Sequence, residues 1–378
     1  MIPNCVPFVA GNELTYLKEA VDAGWLSPVG PFVDRFEARF AEYHGAPAAA
    51  AVSSGTAAIH LGLIVLGVQP RDLVLCPTLT FIGSVNPIRY CGADPVFLDV
   101  EEDTLNLDPE CLADFLATQS VRRDRGLFHR GTGRRIAALI AVHLYGNPAR
   151  MGPIMHLSSE YGLPVLEDAA ESLGARYESR LVGTMGGVGC FSFNGNKVIT
   201  SGGGGMLISP DAEKVRLGKH LSTQAKTDSL EFIHDRVGFN YRLSNLCAAV
   251  GVAQMERLDD FIARKRRNAE LYRAAMAGDE RWEVLGETTG SWSTYWMVLV
   301  RSRQADMGSL LDHIRSWTSA GIGVRPIWHP LHAMPIYGEA LRHGGKKAET
   351  SYTTTFCVPS SVGLSVEEIA RVAKVLLA

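Results

Sequence analysis

The sequence lacks the features that mark a membrane protein, a disulfide scaffold or a zinc ribbon. No apolar run approaches the roughly eighteen residues needed to span a bilayer, and the seven cysteines include no CxxC pair. Lys and Arg total 37 against 40 for Asp and Glu, a net charge of −3, which argues against nucleic acid or a membrane surface as a partner. We therefore expect no metal, nucleic-acid or membrane partner. The scattered cysteines and the absence of an N-terminal signal pattern predict a cytoplasmic protein.

Two nucleotide-binding signatures are also missing. No GxGxxG follows the first predicted strand, which counts against a dinucleotide-dependent oxidoreductase, the class that an α/β pattern alone would suggest. The glycine run at 202–205 is not part of a GxxxxGK[ST] phosphate loop. A nucleotide-triphosphate or dinucleotide site of either kind is therefore not expected.

Short apolar runs alternate with helical patterns through the first two thirds of the 378 residues. Several runs are apolar at consecutive positions, which is typical of strands covered on both faces in a mainly parallel sheet. The alternation predicts an α/β fold. The strands are expected at 49–53, 72–76, 95–100, 136–143, 163–167, 188–193 and 205–209. The helices are expected within 12–45, interrupted near 24–31, and at 56–67, 108–118 and 150–161.

The pattern changes after a segment that reads as one long helix, 245–276. Beyond it we expect short strands at 292–301 and 322–328 and helices at 305–319 and 365–377. Ser365 and Glu368 form a capping-box pattern before the last helix. The chain is therefore predicted to have a large domain, 1–250, and a small C-terminal α+β domain, 251–378.

One segment, 122–135, contains six arginines and one aspartate. It could contact a polyanion. A solvated surface loop between a helix and a strand is the simpler interpretation, and it is the one we favour.

Three short motifs carry the candidate chemistry. Ser54-Gly55-Thr56 lies between a strand and a helix, where free backbone N–H groups and a helix dipole favour a phosphate, although a simple N-cap would look the same. Asp168 directly follows an apolar run, at the strand end where α/β sheets bind ligands. Lys197 lies among small and polar residues at another strand end, and a lysine partly removed from water becomes a nucleophile that can form a Schiff base.

Together these motifs supply what a pyridoxal 5′-phosphate enzyme requires. A lysine binds the cofactor aldehyde, an acid keeps the pyridine nitrogen protonated, and a helix N-terminus holds the phosphate. Each motif alone has an ordinary structural explanation, such as a surface salt bridge for Lys197. The combination favours the cofactor.

Longer stretches resemble one family, the sugar aminotransferases of the DegT/DnrJ/EryC1/StrS type. The resemblance runs from about residue 5 to the C-terminus and rests on GWLSPVG, SSGTAA, PTLTF, EDAAESLGA, FSFNGNK with its glycine run, HLSTQAK, GFNYRLSN and RPIWHPLH. It implies the type I, aspartate-aminotransferase-like fold of pyridoxal-phosphate-dependent transferases. It also implies a transaminase reaction in which pyridoxamine phosphate is the intermediate form of the cofactor.

The resemblance also implies roles for individual residues. Lys197 would be the catalytic lysine, Asp168 would pair with the pyridine nitrogen, and Glu171 would lie near the ring hydroxyl and the sugar. Asn240 would reach the phosphate of the neighbouring subunit, which implies a homodimer with shared active sites. The remaining cofactor contacts would be Gly55, Thr56, Phe81 and Ser192.

The substrate is expected from the branch that the strings most resemble. These enzymes aminate C4 of a UDP-linked 4-keto-6-deoxy-N-acetylhexosamine, with glutamate as the amino donor. By similarity, the nucleotide-diphosphate sugar would lie against the following residues: Trp25, Val29, His143, Asn194, Asn196, Arg325 and His332.

Alternatives remain open at this point. A C3 aminotransferase or an enzyme resembling GDP-perosamine synthase belongs to the same family. A non-catalytic, cofactor-binding regulatory protein is the alternative from a different class, and the complete pair of Lys197 and Asp168 disfavours it. A family dehydratase is disfavoured because that branch has histidine at the position of Lys197.

Overall fold

The computed structural model describes residues 1–228, 230–304 and 307–378. Numbered in chain order, its α-helices are α1 Glu13–Asp22, α2 Pro31–His44, α3 Gly55–Val65, α4 Asn86–Tyr90, α5 Pro109–Gln119, α6 Met151–Tyr161, α7 Ala212–Ser222, α8 Asn245–Met255, α9 Leu258–Ala275, α10 Met307–Ser319, α11 Lys346–Thr354 and α12 Val366–Leu377. In the described residues, no helix is both long enough and apolar enough to cross a membrane.

The strands form one large sheet and two small ones. The large sheet contains β1 Ala49–Val52, β2 Leu73–Pro77, β3 Asp94–Leu98, β4 Ser120–Arg123, β5 Gly126–His129, β6 Arg135–Val142, β7 Val165–Asp168, β10 Val188–Ser192, β11 Gly205–Ile208 and β16 Leu341–His343. A four-stranded sheet contains β12 Trp282–Val284, β14 Val298–Ser302, β15 Arg325–Pro326 and β17 Thr355–Val358. A small sheet contains β8 Arg176–Tyr177, β9 Arg180–Leu181 and β13 Ser291–Trp292.

The large sheet has the mainly parallel α/β topology that the sequence predicts. Its order is β1-β11-β10-β7-β6-β2-β3-β16, and every neighbouring pair from β10 to β16 is parallel. Both β1 and β10 pair antiparallel with β11. The carboxyl ends of β1, β7 and β10 therefore lie at one edge of the sheet, and this edge carries the candidate site.

Consecutive apolar residues in the central strands are explained by cores on both sheet faces. In β6, Ile140 and Val142 belong to one buried cluster and Leu139 and Ala141 to another. Successive side chains of a strand point to opposite faces, so both faces of this strand are covered. A third cluster fills the C-terminal sheet and its helices.

Sequence signals fix several element boundaries. The Ser54 side chain accepts a hydrogen bond from the Ala57 N–H and begins α3. Pro31 begins α2, and Gly45, with φ of 62°, ends it. The capping box at Ser365 and Glu368 is confirmed at the start of α12.

Two elements differ from the prediction, the long helix and the arginine-rich segment. The single helix expected at 245–276 is broken between α8 and α9, because Glu256 accepts hydrogen bonds from Asn12 and Tyr16 and Arg257 donates to the Ala10 carbonyl. These contacts draw the chain into a turn against the N-terminal segment.

The arginine-rich segment 122–135 is also not a simple loop. Strands β4 and β5 form a hairpin that pairs antiparallel with β6. Arg135 at the start of β6 donates from Nε to an Asp72 carboxylate oxygen at 3.0 Å. The Asp72 carboxylate, which directly precedes β2, therefore holds this end of the segment in the sheet.

In the C-terminal third, the expected strands are shorter than predicted. The strand expected at 292–301 becomes β13 and β14 with an irregular stretch between them, and the one at 322–328 shrinks to β15. The helix expected at 305–319 is α10, and the first two positions of that prediction lie outside the described residues.

The predicted division at residue 250 stays a prediction, and two segments cross it. Strand β16, from the C-terminal part, pairs with β3 at the edge of the large sheet. Ile2, from the N-terminus, packs in the C-terminal core and forms a bridge with Ile322.

Gly189, in the strand β10 that precedes Lys197, is tightly packed against a neighbouring backbone segment. A Cβ on Gly189, in β10, would lie 2.1 Å from the Gly183 carbonyl oxygen, and backbone there cannot move aside easily. We expect Gly189→Ala to lower the free energy of unfolding by about 3 kcal/mol, measured by urea denaturation.

Gly338→Ala is the matched control, because the nearest atom to its Cβ would lie 3.8 Å away. We expect a change within about 0.5 kcal/mol there. Equal stability losses in the two variants would contradict this account of β10.

Candidate active site

A cavity of about 490 Å³ opens at the carboxyl edge of the large sheet. The turn after β1, the ends of β7 and β10, the segment after β2 and two tryptophans from the C-terminal part form its wall. Its lining residues include Ser54, Gly55, Thr56, Thr80, Phe81, Gly83, Ser84, Asp168, Glu171, Ser192, Asn194, Asn196, Lys197, Trp296 and Trp328.

Lys197 follows β10 in a tight turn and points its amine into this cavity. The side chain is 12% exposed, and Nζ lies 3.9 Å from Glu171 Oε1 and 4.1 Å from the centre of the Trp296 ring. Burial lowers the pKa of the Lys197 amine, and the carboxylates of Glu171 and Asp168 offset part of this effect. The amine is therefore closer to its neutral, nucleophilic form than an exposed lysine is.

Asp168 is the last residue of β7 and is almost completely buried. Its Oδ2 accepts a hydrogen bond from the Ser84 hydroxyl at 2.6 Å and its Oδ1 accepts one from the Ala170 N–H at 3.0 Å. Burial raises the pKa of this carboxyl, although both hydrogen bonds oppose the rise. A cation placed in the cavity beside Asp168 would favour its ionised form.

Glu171 lies three residues after Asp168 in the sequence and faces Lys197. Its Oε2 accepts from the Tyr145 N–H at 2.9 Å and its Oε1 accepts from the Trp328 indole N–H at 3.2 Å. Burial raises the pKa of Glu171 to about 7, against the opposing effect of Lys197. The site therefore contains a carboxyl that changes protonation near neutral pH.

The turn from β1 into α3 forms a small cradle. A Cβ on Gly55 would lie 2.8 Å from the Ser192 Cβ, so only glycine leaves this space open. Thr56 and Ser192 line the same part of the cavity. The first N–H groups of a helix, a small-residue turn and two hydroxyl side chains suit a phosphate group.

Almost the whole chain matches one protein family. Residues 8–377 match the model of the DegT/DnrJ/EryC1/StrS aminotransferase family. The chain belongs to this family.

Individual relatives agree with this assignment. EpsN of Bacillus subtilis (strain 168), named as a pyridoxal phosphate-dependent aminotransferase, is 40% identical over 98% of this chain and 94% of its own length. A GDP-perosamine synthase of Escherichia coli O157:H7 is 37% identical over 89% of this chain and 87% of its own. The crystal structure of the aminotransferase TlmJ from Streptoalloteichus hindustanus has a TM-score of 0.89 and 29% identity, covering 100% of this chain and 98% of that one.

The family identifies the fold and the cofactor. The protein has the fold of the pyridoxal-phosphate-dependent aminotransferases and is a transaminase that uses pyridoxal 5′-phosphate. The cavity fits this group. Its walls carry the Lys197 amine, whose pKa is lowered, the buried Asp168 carboxyl and the N-terminus of α3. The cavity leaves room beside Asp168 for a cationic ring nitrogen.

Most of the predicted cofactor contacts lie in this one cavity. Gly55, Thr56, Phe81, Asp168, Glu171, Ser192 and Lys197 all line it. Phe81 is 47% exposed and its ring centre lies 5.0 Å from that of Trp328. Of the expected substrate contacts, Asn194 and Asn196 line the cavity as well.

Two predicted substrate residues are placed elsewhere. His143 is fully buried, with Nε2 3.0 Å from a Glu167 oxygen and Nδ1 accepting from the Ala149 N–H. His332 is buried between Thr78, at 2.5 Å, and Glu349, at 2.9 Å. Both nitrogens of each ring have partners inside the protein, so the structure does not place these two histidines on the cavity wall, and their contact with substrate stays a prediction.

The remaining predicted residues lie outside the cavity. Arg325 lines a neighbouring cavity of about 610 Å³ that shares Asn196, Trp296 and Trp328 with the first. Val29 and Asn240 line a groove near α2 and α7. Trp25 is 45% exposed on the loop that precedes this groove.

The sequence motifs do not single out Ser84 or Trp296, two residues of the site. Ser84 bonds Asp168, and Trp296 and Trp328 pack against Lys197 and Glu171. Trp328 lies in the RPIWHPLH string on which the resemblance rests. No local pattern marks Ser84 or Trp296, because their partners come from distant parts of the chain.

The raised pKa of Glu171 predicts a pH dependence of stability. Between 4.5, the ordinary value, and about 7, the folded state holds a proton on Glu171 that the unfolded state has lost. Stability therefore falls as the pH rises through this window, by up to about 1.4 kcal/mol per pH unit. We expect Glu171→Gln to remove this slope in urea unfolding of the cofactor-free protein.

Glu160→Gln, on the exposed end of α6, is the matched control. It should keep the slope of the unchanged protein. An identical slope with and without Glu171 would show that its carboxyl is already ionised at low pH.

Proposed function

We propose that the protein transfers an amino group from glutamate to the ketone of a nucleotide-diphosphate sugar. The observation that carries this proposal is the placement of the Lys197 amine in one cavity with two buried carboxyls and a helix N-terminus. The family is named for aminotransferases, and relatives of this chain include enzymes named for sugar products. The neighbouring cavity lined by Arg325 adds space for a substrate larger than an amino acid.

Separate parts of the site bind the phosphate and the ring of the cofactor. The cradle at Gly55, Thr56 and Ser192 binds the cofactor phosphate through N–H and hydroxyl donors. Asp168, held in place by the Ser84 hydroxyl, would accept a hydrogen bond from the protonated ring nitrogen of the cofactor. The cofactor, when bound, supplies an electron sink for charge that develops on the reacting carbon.

Lys197 is the general acid and base of this proposal. Its neutral amine would take a proton from one reacting carbon, and the resulting ammonium would give that proton to the second reacting carbon. Glu171, 3.9 Å away, stabilises the ammonium between these steps. The Trp296 ring, with its centre 4.1 Å from Nζ, helps to exclude water from the amine, which keeps its pKa low.

The nucleotide and the sugar are the finer part of the proposal. Three relatives, at 35–37% identity, are named GDP-perosamine synthase, which makes a GDP-linked keto sugar the first substrate to test. A UDP-linked 4-keto-6-deoxy-N-acetylhexosamine, which the sequence motifs favour, is the second. A C3-keto sugar is the third arm of the same assay.

The test is an amino-transfer assay with each keto sugar and glutamate, with the products identified by mass spectrometry. We expect an amino sugar from one nucleotide class and a Lys197→Ala rate lower by about 10²–10⁴-fold or more. Lys374→Ala, which alters an exposed lysine near the end of α12, is the matched control and should keep the rate. Absence of product from every keto sugar would contradict the proposed substrate class.

We also propose that the protein is a homodimer in which two copies of the chain form each active site. We propose further that it is located in the cytoplasm. Asn240 lies in the groove near α2, outside the cavity with Lys197, so it can reach a cofactor phosphate only from a second copy. The segment before it exposes large apolar side chains that a second copy would cover: Leu230, Phe232, Ile233 and Val237. The described cysteines are all unpaired, which suits a reducing compartment.

Mixing two inactive variants tests the shared site. A heterodimer of Asn240→Ala and Lys197→Ala chains has one site in which both residues are intact only if Asn240 acts across the interface. We expect the mixture to recover about a quarter of the wild-type rate, as random pairing dictates. Light scattering should give twice 41.0 kDa, and a monomer, or a mixture with no recovered activity, would contradict the shared site.

A further inference from the structure

A second buried lysine, which the proposed chemistry does not use, lies on α9 behind the cavity wall. Lys265 is 1% exposed. Its ammonium donates hydrogen bonds to the Trp296 carbonyl at 3.0 Å and the Ser360 carbonyl at 2.7 Å, and lies 3.9 Å from the Cys5 sulfur. Burying a charge is costly unless its donors are satisfied. Lys265 therefore joins three separate chain segments at one point.

Two of these three partners also hold the peptide next to Lys197. The Trp296 indole N–H donates to the Asn196 carbonyl at 2.6 Å, and the Cys5 thiol donates to the same oxygen at 3.3 Å. Asn196 directly precedes Lys197. The Trp296 ring also lies against the Lys197 amine, 4.1 Å from ring centre to Nζ.

We propose that Lys265 is a positioning residue for Lys197. It fixes the backbone of Trp296, so that the indole N–H holds the Asn196 carbonyl and the indole ring covers the Lys197 amine. The inference depends on the role proposed for Lys197 and does not depend on which sugar is the substrate.

Water exclusion links this geometry to chemistry. Burial is the main cause of the lowered pKa of Lys197, and Trp296, itself 1% exposed, forms part of that burial. Without the Lys265 anchor, the Trp296 carbonyl, the Ser360 carbonyl and the Cys5 sulfur, which lie on three separate segments, would lose their shared donor. The ring would move from the amine, water would enter, and the pKa of Lys197 would rise toward its ordinary value.

The test replaces the ammonium with an apolar group of similar length, Lys265→Met. In cofactor-free protein, the rate at which an amine-specific acylating reagent labels Lys197 is followed against pH by mass spectrometry of its peptide. We expect the midpoint of this profile to move to higher pH, with labelling at neutral pH about tenfold slower for each unit of the shift. The loaded variant should lose kcat more than it changes KM for glutamate.

Tyr272→Phe is the matched control. Tyr272 lies two turns further along α9, and its hydroxyl donates to the Pro359 carbonyl at 2.9 Å, beside the Ser360 contact of Lys265. The control removes a buried hydrogen bond between the same helix and the same turn. It should lower the stability and leave the labelling midpoint of Lys197 unchanged.

An unchanged midpoint in folded Lys265→Met, or an equal shift in Tyr272→Phe, would overturn the proposal. If Lys265→Met does not fold, Lys265→Gln decides, because its shorter amide side chain keeps the position polar and leaves the Trp296 and Ser360 carbonyls without their shared donor. A shifted midpoint there supports the proposal and an unchanged one overturns it. A shift without amino transfer to any keto sugar would contradict only the proposed substrate.

Discussion

The removal of one amine from water is the constraint on which the site depends. Lys197 keeps a lowered pKa because aromatic and backbone walls exclude solvent, while two buried carboxyls stop the pKa from falling further. The same exclusion raises the pKa of Asp168 and Glu171. Burial therefore disfavours the charged form of each group, and a bound ligand decides which form each adopts.

The fold brings these groups together by a simple rule of sheet topology. Asp168 ends β7, Lys197 follows β10, and the helix N-terminus at Gly55 follows β1, and all three strand ends share one edge. The C-terminal part then closes this edge with Trp296 and Trp328, whose indole N–H groups bond to Asn196 and Glu171. The large sheet thus supplies the reactive groups, and the C-terminal part supplies the side chains that exclude water from them.

Strand ends are what the sequence could predict, because they follow from chain order and apolar runs. Lys197, Asp168 and Gly55 were found in this way, and the mainly parallel sheet with them. The surroundings of the two histidines could not be predicted, because their partners are set by tertiary packing: His143 bonds to Glu167 inside the core, and His332 bonds to Thr78, 254 positions away. Trp296 gave no signal, since its bond to Asn196 joins residues 100 positions apart.

Covalent capture of the cofactor at one lysine tests the central claim most directly. Protein saturated with pyridoxal 5′-phosphate is reduced with borohydride, digested and examined by mass spectrometry, and the unreduced sample is examined for visible absorbance. The account predicts a single modified peptide, the one that contains Lys197, together with a yellow protein. A colourless protein, or an adduct on Lys265 or a surface lysine with Lys197 unmodified, would contradict it.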